Sequence, residues 1–175
     1  YVRFLETQRK QHDFTYIHAA HDSLRMERDR SYFDRAVAAM GEADLVVWAF
    51  PLYYLMVHSG YKRFIELLFE RDAARLLDRT YAVSLSTSIH YFDHTAHNYI
   101  RAVTEDLGMT YLDEYPAEMH DLFKVERRDG LVGWFTSVER IVERGEHTSR
   151  TTRPVAFRGR RYEPGAPEPA ISSDR

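Results

Sequence analysis

The chain has 175 residues, of which 44% are hydrophobic and 29% charged, values typical of one globular domain with a sizeable core. Its 24 basic and 27 acidic residues give a formal net charge of −3, which indicates neither nucleic acid nor a membrane surface as a partner. The absence of cysteine excludes disulfides, thiolate nucleophiles and cysteine-ligated metal sites. With no apolar run near the roughly 20 residues of a membrane span and no visible signal peptide, we expect a cytoplasmic protein.

The chain alternates segments of helical and strand-like pattern. The first half predicts helix, strand, helix, strand and helix over residues 1–12, 14–20, 26–40, 45–50 and 61–71. The second half predicts strand, helix, strand and helix over residues 81–86, 93–107, 109–112 and 131–142. Residues 45–50 are uninterruptedly apolar, as in a strand buried on both faces. This alternation predicts a parallel sheet covered by helices on both faces, with right-handed crossovers.

The two ends of the chain depart from this pattern. No glycine precedes Gly41 and the chain opens inside a helix, so we expect a leading segment of about 15 to 30 residues, with the first strand and its loop, to be absent. The predicted domain is residues 1–145. Residues 146–175 are rich in proline and arginine and predict an extended tail, either disordered or packed on a partner through Val155, Phe157 and Tyr162.

Two loops are expected at the carboxyl edge of the sheet, where ligands of open α/β sheets bind. The first is apolar although a solvated loop is expected there, so it either covers a flat ligand or packs its aromatic residues internally. The second begins with three hydroxyl residues, which either hydrogen-bond the polar edge of a ring or satisfy a turn. The residues of the first loop are Pro51, Leu52, Tyr53, Tyr54, Leu55 and Met56. Those of the second are Ser86, Thr87, Ser88, Ile89 and His90.

A cluster of His90, Asp93, His94 and His97 follows the second of these strands and has three interpretations. It could bind zinc or iron, it could supply a proton donor, or it could consist of polar-face and capping residues without chemistry. We take His90 as the predicted catalytic residue and Asp93 as the predicted helix cap, with His94 and His97 on the polar side of that helix. No metal ligand is predicted. The sequence has no nucleophile elbow, Walker loop or Gly-x-Gly-x-x-Gly motif, which argues against a P-loop NTPase or a Rossmann dehydrogenase.

Residues 43–54 (ADLVVWAFPLYY) and 62–66 (KRFIE) together resemble flavodoxin-like NAD(P)H-dependent FMN reductases and quinone reductases. In that family a buried strand is followed by Pro-x-Tyr-aromatic and then by Lys-x-Phe-Ile-acid on the next helix. The resemblance extends less specifically through residues 86–88 and 105–109, and covers roughly residues 14–115.

The resemblance implies an α/β, flavodoxin-like, doubly wound parallel sheet in the order 2-1-3-4-5, with the first strand absent from this chain. FMN would lie at the sheet edge, with residues 51–56 along the isoalloxazine and residues 86–90 near its pyrimidine side. Family members often have Gly-Gly in the second loop, where this chain has Ser88, Ile89 and His90.

The activity implied by the resemblance is electron transfer from NAD(P)H through FMN to a quinone, a flavin or another small acceptor, in a homodimer or larger complex. The alternative is a non-catalytic flavodoxin-fold module, acting in electron transfer or as a structural subunit of a larger complex. A metal-dependent hydrolase using the histidine cluster is a third interpretation.

Overall fold

A computed structural model gives the structure of the chain over residues 1–78, 80–89 and 92–154, and these are the residues described. In chain order the helices and strands are α1 (Val2–Gln8), α2 (Ala19–Arg28), α3 (Arg30–Glu42), β1 (Leu45–Pro51), α4 (Ser59–Glu70), β2 (Tyr81–Ser88), α5 (Asp93–Asp106), β3 (Thr110–Glu118) and α6 (Val125–Glu143). Short 3-10 helices lie at Ala73–Leu76 and Asp121–Phe123. None of the described helices combines the length and the apolar character that a membrane span requires.

The three strands form one parallel sheet in the order β1-β2-β3. β1 and β2 pair without interruption, from Leu45 opposite Tyr81 to Pro51 opposite Thr87. β2 and β3 pair along the whole of β2, with one register shift after Ala82. The predicted α/β class with a parallel sheet is therefore confirmed, and the observed order matches the three consecutive strands that end the order 2-1-3-4-5.

Helices cover both faces of the sheet and bury two apolar clusters. The larger cluster includes Phe33 of α3 and Phe64 of α4, and the smaller joins Leu5 of α1 and Leu131 of α6 to the opposite face. Alternate residues of β1 enter different clusters because successive side chains of a strand point to opposite faces. The larger cluster receives Val46, Trp48 and Phe50, and the smaller receives Leu45 and Val47.

β2 is the most deeply buried strand, with residues 82–86 all buried. β1 is buried less completely than its apolar sequence predicts, since Ala49 is exposed while Trp48 and Phe50 are buried. The reason is its position, because within the described part of the chain β1 pairs with β2 alone. The carboxyl ends of both strands meet at one edge, which is where the two predicted loops begin.

The predicted strand over residues 14–20 is wrong. Residues 13–18 have no regular structure, and α2 begins at Ala19. Phe14 packs on the smaller cluster and Ile17 on the larger, so the apolar alternation reflects packing between two layers of helices. A strand also needs a hydrogen-bonded neighbour, and none of the described strands pairs with this segment.

The helix predicted over residues 26–40 is two helices that meet at Asp29. The Asp29 carboxylate accepts a hydrogen bond from the Tyr32 backbone N–H at 3.0 Å and so caps the first turn of α3. The α3 stripe of Phe33, Val37 and Met40 is buried as predicted.

The beginning of the predicted tail packs against the C-terminal end of α5. The Thr151 and Thr152 backbone N–H groups donate to the Glu105 carboxylate at 3.0 and 2.9 Å, and Arg150 donates to the Glu105 carbonyl at 2.8 Å. The later apolar residues of the predicted arm, Val155, Phe157 and Tyr162, lie outside the described residues.

Helices α2 and α4 approach each other closely where they begin. A Cβ atom at Gly60, in the first turn of α4, would lie 2.5 Å from the Ala20 carbonyl oxygen of α2 and 3.1 Å from the Ser23 hydroxyl. Glycine at position 60 is therefore what permits the two helix N-termini to sit side by side, next to the carboxyl end of β1.

We predict that Gly60→Ala destabilises the protein, because the new methyl group would overlap the Ala20 carbonyl. The free energy of unfolding, measured by urea denaturation, should fall by about 1–3 kcal/mol. Gly133→Ala on α6 is the matched control, since a Cβ there meets no atom within 4 Å and alanine favours a helix. Equal stabilities of the two variants would contradict the close packing of α2 on α4.

Candidate functional site

The first loop (residues 51–56) adjoins the described part of the second loop (residues 86–89) at the carboxyl edge of the sheet. The Leu52 backbone N–H donates to the Thr87 carbonyl oxygen at 3.0 Å, one residue beyond the paired part of β1. The structure therefore brings the beginnings of the two predicted loops into direct contact.

The first loop makes a tight turn between Tyr53 and Met56. The Tyr53 N–H donates to the Met56 carbonyl at 2.7 Å, and the Met56 N–H donates to the Tyr53 carbonyl at 3.1 Å. The two residues between them, Tyr54 and Leu55, have φ angles of 39° and 74°, in the left-handed region that side chains other than glycine rarely adopt. Each such residue costs roughly 1–2 kcal/mol. The turn thus holds strain while it leaves the Tyr54 side chain 90% exposed.

Exposed apolar side chains gather at this edge. Seven of the ten large hydrophobic residues that are exposed in the described part of the chain follow the carboxyl end of a strand, which distinguishes this edge from the rest of the surface, where single exposed residues are ordinary. The seven are Tyr53, Tyr54, Ile89, Phe92, Met119, Phe123 and Val125. Such a surface offers contact to a flat, apolar ligand.

An open cavity of about 270 Å³ lies beside the first loop, where α2 and α4 begin. Its lining residues are Ala20, His21, Phe50, Pro51, Tyr53, His58 and Tyr61. The Nδ1 atom of His58 accepts the Gly60 backbone N–H at 3.1 Å, so the neutral ring carries its proton on Nε2 and can donate from there. Burial raises the pKa of the Tyr61 hydroxyl, which therefore stays protonated. Aromatic rings therefore line the cavity together with the hydrogen-bond donors His58 and Tyr61.

The second loop does not present its serines to the surface in the way its sequence suggests. Ser86 is fully buried, and its hydroxyl lies 2.8 Å from Nε2 of His97. Ser88 is 7% exposed, and its hydroxyl lies 3.5 Å from the Asp93 carboxylate. Among the described residues that follow β2, Ile89 and Phe92 are exposed. His90, the predicted catalytic residue, lies outside the described residues, so its role stays a prediction.

His97 belongs to a buried polar network rather than to the polar side of α5, so its predicted position is wrong. Its Nδ1 lies 2.6 Å from the Ser84 hydroxyl, which in turn lies 2.5 Å from the Tyr111 hydroxyl. Tyr111 continues the chain to the Glu114 carboxylate at 3.5 Å. The sequence did contain a signal, because His97 precedes the buried Ile100 by three residues, which is the spacing of one helix face.

Burial keeps the pKa of His97 below its ordinary value, because a charged imidazolium would lose its hydration in the core. The carboxylates of Glu114 and Asp93 oppose this effect, and the Arg101 guanidinium reinforces it. His97 is therefore a neutral imidazole at neutral pH. A neutral ring donates from one nitrogen and accepts at the other, which suits a position between two serine hydroxyls.

Of the remaining members of the histidine cluster, the structure describes His94 and Asp93. His94 is exposed, and its backbone N–H donates to the Asp93 carboxylate at 3.0 Å. The predicted capping position of Asp93 is wrong by one residue, since Phe92, with φ of 54°, is the cap and Asp93 begins the helix. In the part of the chain that the structure describes, no three metal-ligating side chains converge.

Comparison with solved structures supports the fold. An NADH:FMN oxidoreductase in its apo form is 18% identical, with a TM-score of 0.54 over 79% of this chain and 72% of that one. The Trp repressor binding protein from Bacillus subtilis is 11% identical, with a TM-score of 0.51 over 59% of this chain and 70% of that one. An azoreductase from Bacillus anthracis str. Sterne is 14% identical over 77% of this chain and 78% of that one, and its TM-score of 0.45 is too low to carry an argument.

No protein-family model and no curated protein matches the sequence. At these identities the structural similarity shows the fold alone, and the predicted flavodoxin-like class is confirmed at that level.

Acidification is predicted to destabilise the protein through His97. Its folded-state pKa is depressed, so as the pH falls below the unfolded value of about 6.5 the unfolded chain binds a proton that the folded chain does not. The contribution of the neutral His97 to the free energy of unfolding is complete above the pKa of the unfolded chain. It is lost as the pH falls towards the lower pKa of the folded protein. His97→Gln should therefore flatten the dependence of the free energy of unfolding on pH between about 7.5 and 5. His94→Gln, on the exposed side of the same helix, should keep the wild-type slope; equal slopes for both variants would refute the assignment.

Relief of strain in the first loop is predicted to stabilise the fold. Replacing Tyr54 and Leu55 together by Asn and Gly places residues that favour left-handed conformations at the two strained positions. The free energy of unfolding should rise by about 1–2 kcal/mol. The measurement is thermal denaturation of the wild type, the double variant and Tyr54→Ala. Tyr54→Ala removes the aromatic ring but leaves a strained backbone, so it separates the effect of losing the ring from the effect of relieving the strain. A double variant no more stable than the wild type would argue against strain.

Proposed function

We propose that the protein is an FMN-dependent oxidoreductase that passes electrons from NAD(P)H to a small-molecule acceptor such as a quinone or a flavin. The observation that carries the proposal is the contact between the two loops at the carboxyl edge of β1 and β2, through the bond from Leu52 to Thr87. Open α/β sheets bind ligands at this edge. The edge exposes aromatic and aliphatic side chains on the loops that the sequence resemblance assigns to the isoalloxazine.

The first loop fits a flat tricyclic ring. Tyr54 is almost fully exposed on a strained turn, and strain of this kind collects at ligand-binding positions. Ile89 is exposed on the neighbouring loop. The Ser86 hydroxyl is hydrogen-bonded to His97 in the core. The polar edge of the flavin ring would therefore meet backbone groups of residues 86–89 rather than the Ser86 side chain.

The ribityl phosphate of FMN needs hydrogen-bond donors, and the cavity beside the first loop has them. His21 and His58 line it together with Tyr61, and Pro51 and Tyr53 connect it to the proposed ring surface. The basic residues that follow β3 are engaged elsewhere, because Lys124 and Arg127 pair with Glu118 and Asp121. Arg128 donates to the Leu122 carbonyl. We therefore assign the phosphate side of the cofactor to this cavity as part of the proposal.

Bound FMN would supply hydride acceptance from NAD(P)H and electron donation to the acceptor, so the task of the chain is to hold and orient the ring. In this proposal Tyr54 packs against the ring, and the backbone of the second loop orients its polar edge. His90 is proposed to donate a proton near the ring.

The second candidate function is a non-catalytic flavodoxin-fold subunit that carries or transfers electrons in a larger complex. It is favoured by the inward direction of the Ser86 hydroxyl, which leaves the second loop without that polar contact to a ring. The two functions differ in one measurable step, the reduction of bound flavin by NAD(P)H.

We predict that the purified protein binds FMN and that anaerobic NADH or NADPH bleaches its visible absorbance. Tyr54→Ala should raise the FMN dissociation constant about three- to tenfold, because an aromatic stacking contact is lost. Phe69→Ala is the matched control, since Phe69 is an exposed aromatic residue of α4 that follows no strand end.

Three outcomes separate the alternatives. Failure to bind FMN would exclude both flavin functions, and binding without bleaching would favour the electron-transfer subunit. Riboflavin, which lacks the phosphate, should bind more weakly than FMN; equal affinities would remove the cavity from the proposed site.

A further inference from the structure

We propose that His58 is the residue that binds the phosphate group of the cofactor, and that its role as the cap of α4 is what leaves its second ring nitrogen as a donor. The inference rests on the proposed function, because it names the residue that would select a phosphorylated flavin in the cavity beside the first loop. His58 is exposed and lines that cavity, so a ligand can reach its ring.

The first step is the orientation of the imidazole. Serine, threonine, aspartate and asparagine are the usual caps of a helix. At this position the Nδ1 atom of His58 accepts the Gly60 backbone N–H at 3.1 Å instead. The ring also packs edge-on against Tyr53, with centroids 5.2 Å apart and planes at 70°. Because Nδ1 is an acceptor, the neutral ring carries its proton on Nε2, to which no described residue is hydrogen-bonded.

The second step concerns the other donors at the start of α4. The Gly60 N–H donates to the His58 ring, and the Tyr61 and Lys62 N–H groups both donate to the His58 carbonyl oxygen, at 3.0 and 3.1 Å. The donors that remain in the cavity are therefore chiefly side chains. One of them is the Tyr61 hydroxyl, which stays protonated because burial raises its pKa and which has no hydrogen-bond partner among the described residues.

The third step is the contrast with the other histidine of the cavity. The Nδ1–H of His21 donates to the Asp22 carboxylate at 3.0 Å, so Nε2 of the neutral His21 ring is an acceptor. Hydrogen bonds from His21 and from the Tyr32 hydroxyl keep the pKa of Asp22 below its ordinary value, so a negative charge stands beside His21. A phosphate oxygen needs a donor, and of the two histidines it is His58 that offers one.

The two cations that follow His58 in α4 are engaged with other groups. Arg63 forms ion pairs with Glu27, Glu66 and Glu70. The Lys62 ammonium lies over the ring of Tyr99, 6.0 Å from its centroid. A hydrogen bond from His58 to a charged phosphate oxygen would therefore be a large part of the selectivity for FMN over riboflavin.

Two substitutions of His58 separate the roles of its two nitrogens. Asparagine places its amide oxygen near the position of Nδ1, so His58→Asn keeps an acceptor for the Gly60 N–H and loses the donor at Nε2. Glutamine places its amide nitrogen near the position of Nε2, so His58→Gln keeps that donor and loses the cap. A residue that serves only as a cap would give the opposite ranking of the two variants in ligand binding.

The binding test measures the ratio of the riboflavin and FMN dissociation constants at about pH 8, where free imidazole is neutral. His58→Asn should lower this ratio about tenfold, as expected for the loss of a hydrogen bond to a charged group. His58→Gln should keep the ratio within about twofold of the wild type. The urea midpoint should show the reverse order, unchanged in His58→Asn and lower in His58→Gln, because only the latter loses the cap.

His21→Gln is the matched control, since His21 lines the same cavity and should leave the ratio at the wild-type value. A wild-type ratio in His58→Asn, or an equal fall of the ratio in His21→Gln, would overturn the proposal.

Inorganic phosphate tests the same contact without flavin. It should raise the urea midpoint of the wild type more than that of His58→Asn, because a ligand that binds only the folded chain stabilises it. The general stabilisation by an excluded salt acts on both proteins and cancels in the comparison.

The two measurements separate failure of this inference from failure of the proposed function. If FMN binds and His58→Asn keeps the wild-type ratio, the proposed function stands and the role of His58 fails. If the wild type binds no FMN, the proposed function fails and inorganic phosphate decides. A larger shift of the urea midpoint in the wild type would then support the phosphate contact of His58, and equal shifts would overturn it.

Discussion

A strand that is buried on both faces can carry serine only if another buried group completes its hydrogen bonds, and this constraint organises the centre of the molecule. β2 has that position, and Ser84 and Ser86 are fully buried on one of its faces. His97 satisfies both hydroxyls, and Tyr111 extends the network to β3. The rotation of α5 about its axis is thereby fixed, because a different rotation would leave two or more polar groups without partners in the core.

The parts of the fold that could be predicted from sequence are those whose signal is local. The apolar run of residues 45–50 identified β1, and the offsets of Ala96, Ile100, Val103 and Leu107 identified α5, because each pattern depends on a single element meeting a core. The position of the two loops at one edge could also be predicted, because the carboxyl ends of parallel strands lie at the same edge of a sheet.

The errors concern features that depend on a distant partner. Residues 14–20 have strand-like composition, but a strand also requires a neighbour that composition cannot reveal. His97 looked like a polar-face residue because its partners, Ser84 and Ser86, precede it by 13 and 11 positions on another element. Tyr54 and Leu55 gave no sign of positive φ angles, since sequence preference for such a turn points to Asn and Gly.

Fold similarity at 18% identity shows the fold and specifies no chemistry, so any specificity must come from the loop residues. In this chain the Ser86 hydroxyl is turned inward, and the large exposed side chains on the described parts of the two loops are aromatic or aliphatic, as at Tyr54 and Ile89. Under the proposed function, a ligand at such an edge would be selected by flatness and apolar contact, and its polar atoms would meet backbone groups whose positions the sheet fixes. Those backbone groups lie at the end of β2, and the buried bond between the Ser86 hydroxyl and His97 joins that end of β2 to α5.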